Sequence, residues 1–208
     1  MSDPKRTSRS APSKRTSLLP SAPKPPCKID PAATIASSTV LAGIHPITIA
    51  AHAVLHPHAR IVSAEGPVTI GEGCIVFEKA TIGPLAPSTS TESATITAPP
   101  STILGKNVTI STGVTIEGCA IGDGCVIEPY ARIGQGAKVG RYCKVVAYGE
   151  VPKGAKVDDY TVVYGKGKRR VDRTMKEWGE MRELKEAVHE RQVRGYQGLI
   201  PSNIAKWS

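Results

Sequence analysis

The amino-acid sequence predicts an all-β solenoid of about seven triangular coils, followed by a C-terminal α-helix. Three patterns predict it: an aliphatic residue at every sixth position, a small residue two positions before almost every one, and helical spacing near the end. The stretch CVIEPYARIGQGAKVGRYCKV, residues 125–145, shows the first pattern. This spacing fits neither the 3.6-residue period of a helix nor the two-residue alternation of a strand.

The aliphatic ladder is organised in triplets. Irregular steps, such as the one from Ile82 to Leu104, fall only between triplets. This spacing fits a prism with three flat faces, in which each hexapeptide supplies one short strand and one corner. At the usual strand spacing, six full coils and the beginning of a seventh give a stack about 30 Å tall. The ladder residues are Ile29, Ile35, Leu41, Ile49, Leu55, Ile61, Ile70, Val76, Ile82, Leu104, Ile110, Ile116, Ile121, Ile127, Ile133, Val139, Val145, Val151, Val157 and Val163.

The small residues two positions before the ladder confirm the register, and Ile47 is the one bulky exception. Large aliphatic side chains fill the axis of a narrow prism, so the alternate inward position has room only for a small one. Glycine often follows the ladder residue directly, which we interpret as a sharp corner, because glycine tolerates positive φ. These glycines are Gly71, Gly83, Gly105, Gly122, Gly134 and Gly140.

All five cysteines, Cys27, Cys74, Cys119, Cys125 and Cys143, occupy the small inward position. This placement indicates small core hydrophobes rather than metal ligands or redox groups. Cys125 and Cys143 fall on the same face of adjacent coils. We expect them to stack as free thiols in a reducing compartment.

Charge and composition divide the chain into three parts. The formal net charge is +9, and the basic excess lies in the two tails. We predict a disordered basic tail over 1–26, a solenoid over 27–166, and a helix and tail over 167–208. No apolar run is long enough to cross a bilayer, and the proline-rich N-terminus lacks the apolar core of a signal peptide. The expected location is cytoplasmic, without membrane insertion, and the tails are interpreted as solvated rather than bound to nucleic acid.

After the ladder, the spacing becomes helical. The side chains of Met175, Trp178, Met181, Leu184 and Val188 form one apolar stripe. Glycine at position 195 is expected to end the helix. A solenoid end exposes strand edges and needs a cover, so the helix either folds back on the prism or binds a partner.

The histidines offer little for catalysis or metal binding. They occur at 45, 52, 56, 58 and 189, and none lies in coils three to seven. Catalytic zinc needs three protein ligands and an open position. We therefore expect no catalytic residue, metal or cofactor, and we expect the side chain of His56 to point out of the prism. The long loop 83–102 contains no candidate base and is interpreted as a surface excursion.

The repeat resembles that of the left-handed parallel β-helix family, and the handedness follows from this resemblance alone. The block HPHARIVSAEGPVTIGEGCIVFEKATIG, residues 56–83, is more specific for one family than the repeat is. It closely resembles the dynactin subunit 6 family, with the AEGP insertion before VTIGEG as the distinctive part. The later segments VIEPYARIG and EVPKGAKVDDYTVVYG resemble the same family, so the likeness covers about 27–166.

This resemblance implies a non-catalytic structural subunit at the pointed end of dynactin's actin-like filament. The implied partners are a sister β-helix subunit of the subunit 5 type, a pointed-end actin-related protein and a p62-type subunit, with dynein adaptors contacted indirectly. The implied role is dynein-driven microtubule transport and attachment of cargo or adaptors. A γ-carbonic-anhydrase-like or hexapeptide acyltransferase enzyme is the alternative, because both enzyme classes use this scaffold.

One face of the prism carries outward-facing apolar residues on either side of the ladder. An exposed strip of this kind is normally covered, either by the C-terminal helix or by a partner subunit. We call this set the apolar strip. It comprises Val54, Ile75, Phe77, Val126, Val146, Val162 and Tyr164.

Overall fold

The computed structural model describes residues 24–83 and 101–207, which wind into a parallel β-solenoid with three faces. Strands at the same stage of successive coils pair in parallel and in register, as where Ile127 lies beside Val145. The three sheets give six complete coils and two strands of a seventh, which confirms the predicted fold. The predicted tail and the loop 83–102 lie almost entirely outside the described residues.

The strands are short because each spans only the flat part of one hexapeptide. Face A contains strands 1, 4, 7, 10, 13, 16 and 19; face B contains 2, 5, 8, 11, 14, 17, 20 and 21; face C contains 3, 6, 9, 12, 15 and 18. In chain order they are β1 (Cys27–Ile29), β2 (Thr34–Ile35), β3 (Val40–Gly43), β4 (Ile47–Ile49), β5 (Val54–Leu55), β6 (Arg60–Ser63), β7 (Val68–Ile70), β8 (Ile75–Val76), β9 (Thr81–Ile82), β10 (Thr102–Leu104), β11 (Thr109–Ile110), β12 (Thr115–Ile116), β13 (Ala120–Ile121), β14 (Val126–Ile127), β15 (Arg132–Ile133), β16 (Lys138–Val139), β17 (Lys144–Val145), β18 (Glu150–Val151), β19 (Lys156–Val157), β20 (Thr161–Tyr164) and β21 (Lys168–Val171).

The ladder forms the core along the axis of the prism. Every ladder residue is buried except Ile29, which is half-buried in the first coil. The small positions are buried too, apart from Ala155 and Cys27, which are half-buried. Ile47 is fully buried, so the bulky exception fits inside the prism. Each buried Val, Ile or Leu side chain contributes roughly 1.5–3 kcal/mol of transfer free energy.

The glycines that follow the ladder have a different cause from the one predicted. Of the six, only Gly83 has positive φ. At Gly71 an added Cβ would lie 2.2 Å from the carbonyl oxygen of Gly105 on the next coil, so close backbone approach excludes a side chain. The left-handed turn instead lies three residues after most ladder residues, as at Tyr142 (φ 51°) and Tyr160 (φ 58°).

Two helices and one additional strand follow the solenoid. The strand β21 doubles back antiparallel on β20 and was not predicted. The helices are α1 (Arg173–Glu177) and α2 (Gly179–Leu199), and a short 3-10 turn, Ile204–Lys206, follows them. The predicted C-terminal helix is confirmed, but its bounds differ from the prediction in two ways. It breaks at Trp178, whose backbone is extended, and it continues past Gly195, because the next turn packs on the prism.

Candidate interaction surface

Helix α2 lies along the corner between faces A and B and bonds to the backbone of three coils there. Lys185 Nζ donates to the carbonyl of Gly124 at 2.8 Å, and Gln197 Nε2 donates to that of Ala32 at 3.0 Å. Between them, His189 Nε2 lies 2.7 Å from the carbonyl oxygen of Gly73. The helix therefore runs antiparallel to the direction of stacking, from the fifth coil back to the first.

The contact between α2 and the prism shifts the pKa of two side chains, Lys185 of the helix and Tyr142 of the prism. Burial lowers the pKa of Lys185. The Tyr142 hydroxyl donates to Glu186, and this hydrogen bond, assisted by desolvation, raises the pKa of Tyr142 to about 12. Both side chains thus connect the helix to the prism by hydrogen bonds.

The chain end after α2 covers the first coil. Ser202 Oγ accepts a hydrogen bond from the amide of Ile35 at 3.2 Å, and the amide of Asn203 donates to the Ile35 carbonyl at 2.8 Å. Ile204 and Trp207 pack against the core. The segment therefore pairs with an edge of face B that would otherwise be open.

The first half of the apolar strip lies under α2. Val54 and Ile75 are fully buried in a cluster with Val193 of the helix. Phe77 packs on this cluster, and its ring meets that of Tyr196 edge-on, with centroids 5.6 Å apart. The helix is thus the cover of this half of the strip.

His56 is part of the same contact. Its ring stacks on Phe77 at 4.5 Å and meets Tyr196 edge-on at 4.8 Å. Its Nδ1 lies 3.1 Å from Glu78 Oε1. Partial burial opposes ionisation of Glu78, but hydrogen bonds from its own backbone and from His56 lower its pKa overall. His56 points out of the prism, as predicted, and is buried beneath the helix.

The side chains through which α2 contacts the strip are not the predicted ones. Trp178 is 61% exposed, and Leu184 and Val188 are also exposed. The contact is made by Val193 and Tyr196, together with Ile200 just beyond the helix. The spacing of these residues continues the helical pattern. They were not included in the predicted stripe, because the helix was expected to end at Gly195.

The second half of the strip is covered only in part. Val126 lines a groove of about 450 Å³ with Met181 and Leu184 of α2. Val162 is buried and Val146 is half-buried, but Tyr164 is 41% exposed. The apolar surface left outside is therefore Tyr164 with Val146 in the last coils, Trp178 between α1 and α2, and Leu184 and Val188 on α2.

Four of the five cysteines are buried in the core of the prism. Cys74 and Cys119 have their pKa raised to about 12 by burial. Cys125 and Cys143 directly precede the paired strands β14 and β17, so these side chains stack on adjacent coils as predicted. Their Sγ atoms donate to the carbonyls of Gly140 and Asp158. Cys27 is half-buried, and all five thiols are free.

The histidines do not converge on a site. Both ring nitrogens of His189 are engaged, Nδ1 at 3.3 Å from Thr109 Oγ1 and Nε2 on the Gly73 carbonyl. His52 and His58 are exposed at corners. Within 24–83 and 101–207, no three His, Cys, Asp or Glu side chains are grouped so that they could hold a metal ion. None of the helices in these ranges is long and apolar enough to span a membrane.

Solved structures share this architecture. A hexapeptide transferase family protein from Anaplasma phagocytophilum superimposes with a TM-score of 0.65 at 16% identity, covering 84% of this chain and 96% of its own. At this identity the likeness is one of fold alone. The chain is thus a hexapeptide-repeat β-solenoid protein.

No protein-family model matches the chain. Curated relatives nevertheless identify the family within this class of β-solenoid proteins. The chain is 30% identical to dynactin subunit 6 of Danio rerio over 119 residues, which are 57% of this chain and 61% of the relative. It is 30% identical to dynactin subunit 6 of Xenopus tropicalis over 138 residues, 66% of this chain and 67% of that relative. The chain belongs to the dynactin subunit 6 family. The match spans less than two thirds of the zebrafish protein.

Proposed function

We propose that this chain is a non-catalytic structural subunit of the dynactin pointed-end complex. In this role it supports dynein-driven microtubule transport and the attachment of cargo or adaptors in the cytoplasm. The observation that carries the proposal is membership of the dynactin subunit 6 family. The likeness to a transferase concerns the fold and does not carry catalysis over to this chain.

The placement of the histidines supports a non-catalytic role. A general base needs a free nitrogen within reach of a substrate. Nε2 of His56 has no hydrogen-bond partner, but the rings of His56 and His189 are both buried in the contact between helix and prism, out of reach of a substrate. These side chains therefore serve the packing of α2.

The proposed partners are a sister β-helix subunit of the subunit 5 type, a pointed-end actin-related protein and a p62-type subunit. We assign to their contacts the apolar residues that α2 leaves outside. These are Val146 and Tyr164 in the last coils, Trp178 between α1 and α2, and Leu184 and Val188 of α2, which are exposed along the groove that the helix forms with the prism. Large apolar side chains grouped on one side of a protein commonly mark a protein–protein contact.

A pull-down of the tagged full chain from native extract, read by mass spectrometry, tests the proposal. The wild-type chain should recover other dynactin subunits. The double variant Tyr164→Asp/Trp178→Asp should lose them, because an unpaired carboxylate is costly in an apolar interface. Ile44→Asp is the matched control, since Ile44 is exposed in the first coil, far from this surface.

Each outcome is decisive. Recovery of no dynactin subunit by the wild-type chain would refute membership of the complex. Equal recovery by both variants would refute the assigned surface. Stoichiometric zinc in a homotrimer of the purified chain would favour the enzyme alternative.

A further inference from the structure

The outer side of face A presents one residue from each coil in a straight row. Pairing in register places Ile103 beside Ala120, Ala120 beside Lys138, and Lys138 beside Lys156. Ile103 is 47% exposed, and both lysines are exposed. The row starts at Lys28 and continues through Thr48 and Thr69 to these residues. Its later half is therefore apolar at Ile103 and Ala120 and ends with two cations on neighbouring strands.

Lys138 and Lys156 are an unfavourable neighbour pair. Parallel strands lie about 4.8 Å apart, and like charges directly opposite each other destabilise a sheet. Among the described residues neither lysine has an ion-pair partner. On face C, by contrast, Arg132 lies in register with Glu150, so opposite charges are neighbours there.

Further cations surround the pair. Lys176 of α1 lines a cavity of about 530 Å³ together with Lys138 and Lys156. Arg169 Nη1 donates to the Lys156 carbonyl at 2.5 Å, which places a guanidinium at the same strand. We call Lys138, Lys156, Arg169 and Lys176 the basic face. Its surroundings are positive overall, since residues 150–176 contain eight basic and four acidic side chains.

The acidic side chains at this cavity do not neutralise the basic face. Asp159 is held by Arg141 at 3.1 Å. Asp158 is exposed and has no ion-pair partner among the described residues. A phosphate backbone carries closely spaced negative charges, so the carboxylate of Asp158 would repel it. The carboxylates of a protein segment are further apart and can bind the lysines without lying next to Asp158.

We propose that the basic face and the adjoining apolar row, Ile103 and Ala120, bind an acidic segment of a partner protein. Glutamate or aspartate side chains would remove the repulsion between Lys138 and Lys156, and aliphatic ones would cover Ile103. The row has no aromatic ring on which nucleic-acid bases could stack, and Tyr160 beside the cavity is already stacked on Tyr142. The inference is independent of the proposed role in dynactin.

The test compares two charge-reversal variants of the full chain with equal net charge. Lys138→Glu/Lys156→Glu changes the basic face. Lys28→Glu/Arg60→Glu is the control, because both residues are exposed and Lys28 lies on face A at the opposite end of the stack. The probe is a short fluorescent polyglutamate peptide, with binding measured by anisotropy at physiological salt.

The dissociation constant should rise about tenfold or more for the basic-face variant and change little for the control, because two attractive pairs become repulsive. Equal losses in the two variants would show a net-charge effect and overturn the proposal. So would an undetectable interaction with the wild-type chain. Tighter binding of duplex DNA or phosphatidylserine vesicles, lost in the same variant, would assign the face to another class of partner and overturn it too.

A second measurement separates loss of binding from misfolding. Lys156→Glu should raise the midpoint of thermal unfolding, since an attractive pair with Lys138 replaces a repulsive one. Lys156→Gln should raise it less. A variant that is more stable and binds more weakly identifies a surface kept for a partner. A lower midpoint for Lys156→Glu would overturn the premise of like-charge repulsion.

Discussion

His189 offers the sharpest test of how the C-terminal helix is held. Its side chain is buried and bonds through one nitrogen to the Gly73 carbonyl and through the other to Thr109. His189→Ala removes both bonds and leaves a carbonyl oxygen and a hydroxyl without partners beneath the helix. Each net hydrogen bond contributes about 1 kcal/mol, and an unsatisfied buried group costs about 1–3 kcal/mol. We expect local destabilisation of about 2–3 kcal/mol.

Hydrogen exchange read by mass spectrometry is the suitable assay, because solenoids unfold in parts rather than as one unit. A loss of about 2 kcal/mol corresponds to about thirtyfold faster exchange. The faster exchange should appear in α2 and in the strands it covers, β5 and β8, while β15 stays unchanged. The control is Glu190→Ala, which removes only an exposed ion pair with Arg194 and should cost about 0.5 kcal/mol or less.

Two results would refute this reasoning. Exchange in His189→Ala no faster than in Glu190→Ala would show that the helix does not depend on the corner bonds. Faster exchange throughout the prism would show that helix and prism unfold as one unit.

Three further outcomes follow from the structure. A thiol reagent should label Cys27 rapidly in the native chain and all five cysteines only in denaturant; rapid labelling of a second thiol would contradict the buried core positions. Folding lowers the pKa of Glu78, so this side chain stabilises the folded state above the ordinary carboxyl pKa, and that stabilisation is lost as the pH falls through the lowered pKa. The urea midpoint of Glu78→Gln should therefore fall less steeply than that of the wild type below about pH 4.5. Gly71→Ala should lower the midpoint of unfolding, because the added Cβ would overlap the Gly105 carbonyl. Gly195→Ala, in open space within α2, should instead raise the free energy of unfolding by about 0.5–1 kcal/mol. Equal midpoints for the two variants would contradict the close approach of the coils.

The sequence by itself determined the prism. A side chain in a coil faces the axis or solvent according to its position within the hexapeptide, and the next coil repeats the same environment one strand spacing away. The ladder, the small inward positions and the cysteine stack therefore followed from spacing alone. The glycine after the ladder was also visible, but its cause was not. A glycine can be required by a positive φ or by a carbonyl of the next coil that leaves no room for a side chain. The distance between coils decides which cause applies, and the sequence does not contain that distance.

Only the tertiary structure decided how the C-terminal segment covers the prism. The stripe from Met175 to Val188 was regular, yet the contact is made one helical turn and more further on, at Val193 and Tyr196. The position of α2 is set by bonds to carbonyls more than sixty residues away in sequence, such as that from Lys185 to Gly124 and that from His189 to Gly73. Such bonds form only after the coils have stacked, so no local pattern encodes them. The spacing within the chain fixed the prism, and long-range docking decided which part of its apolar strip stays open to a partner.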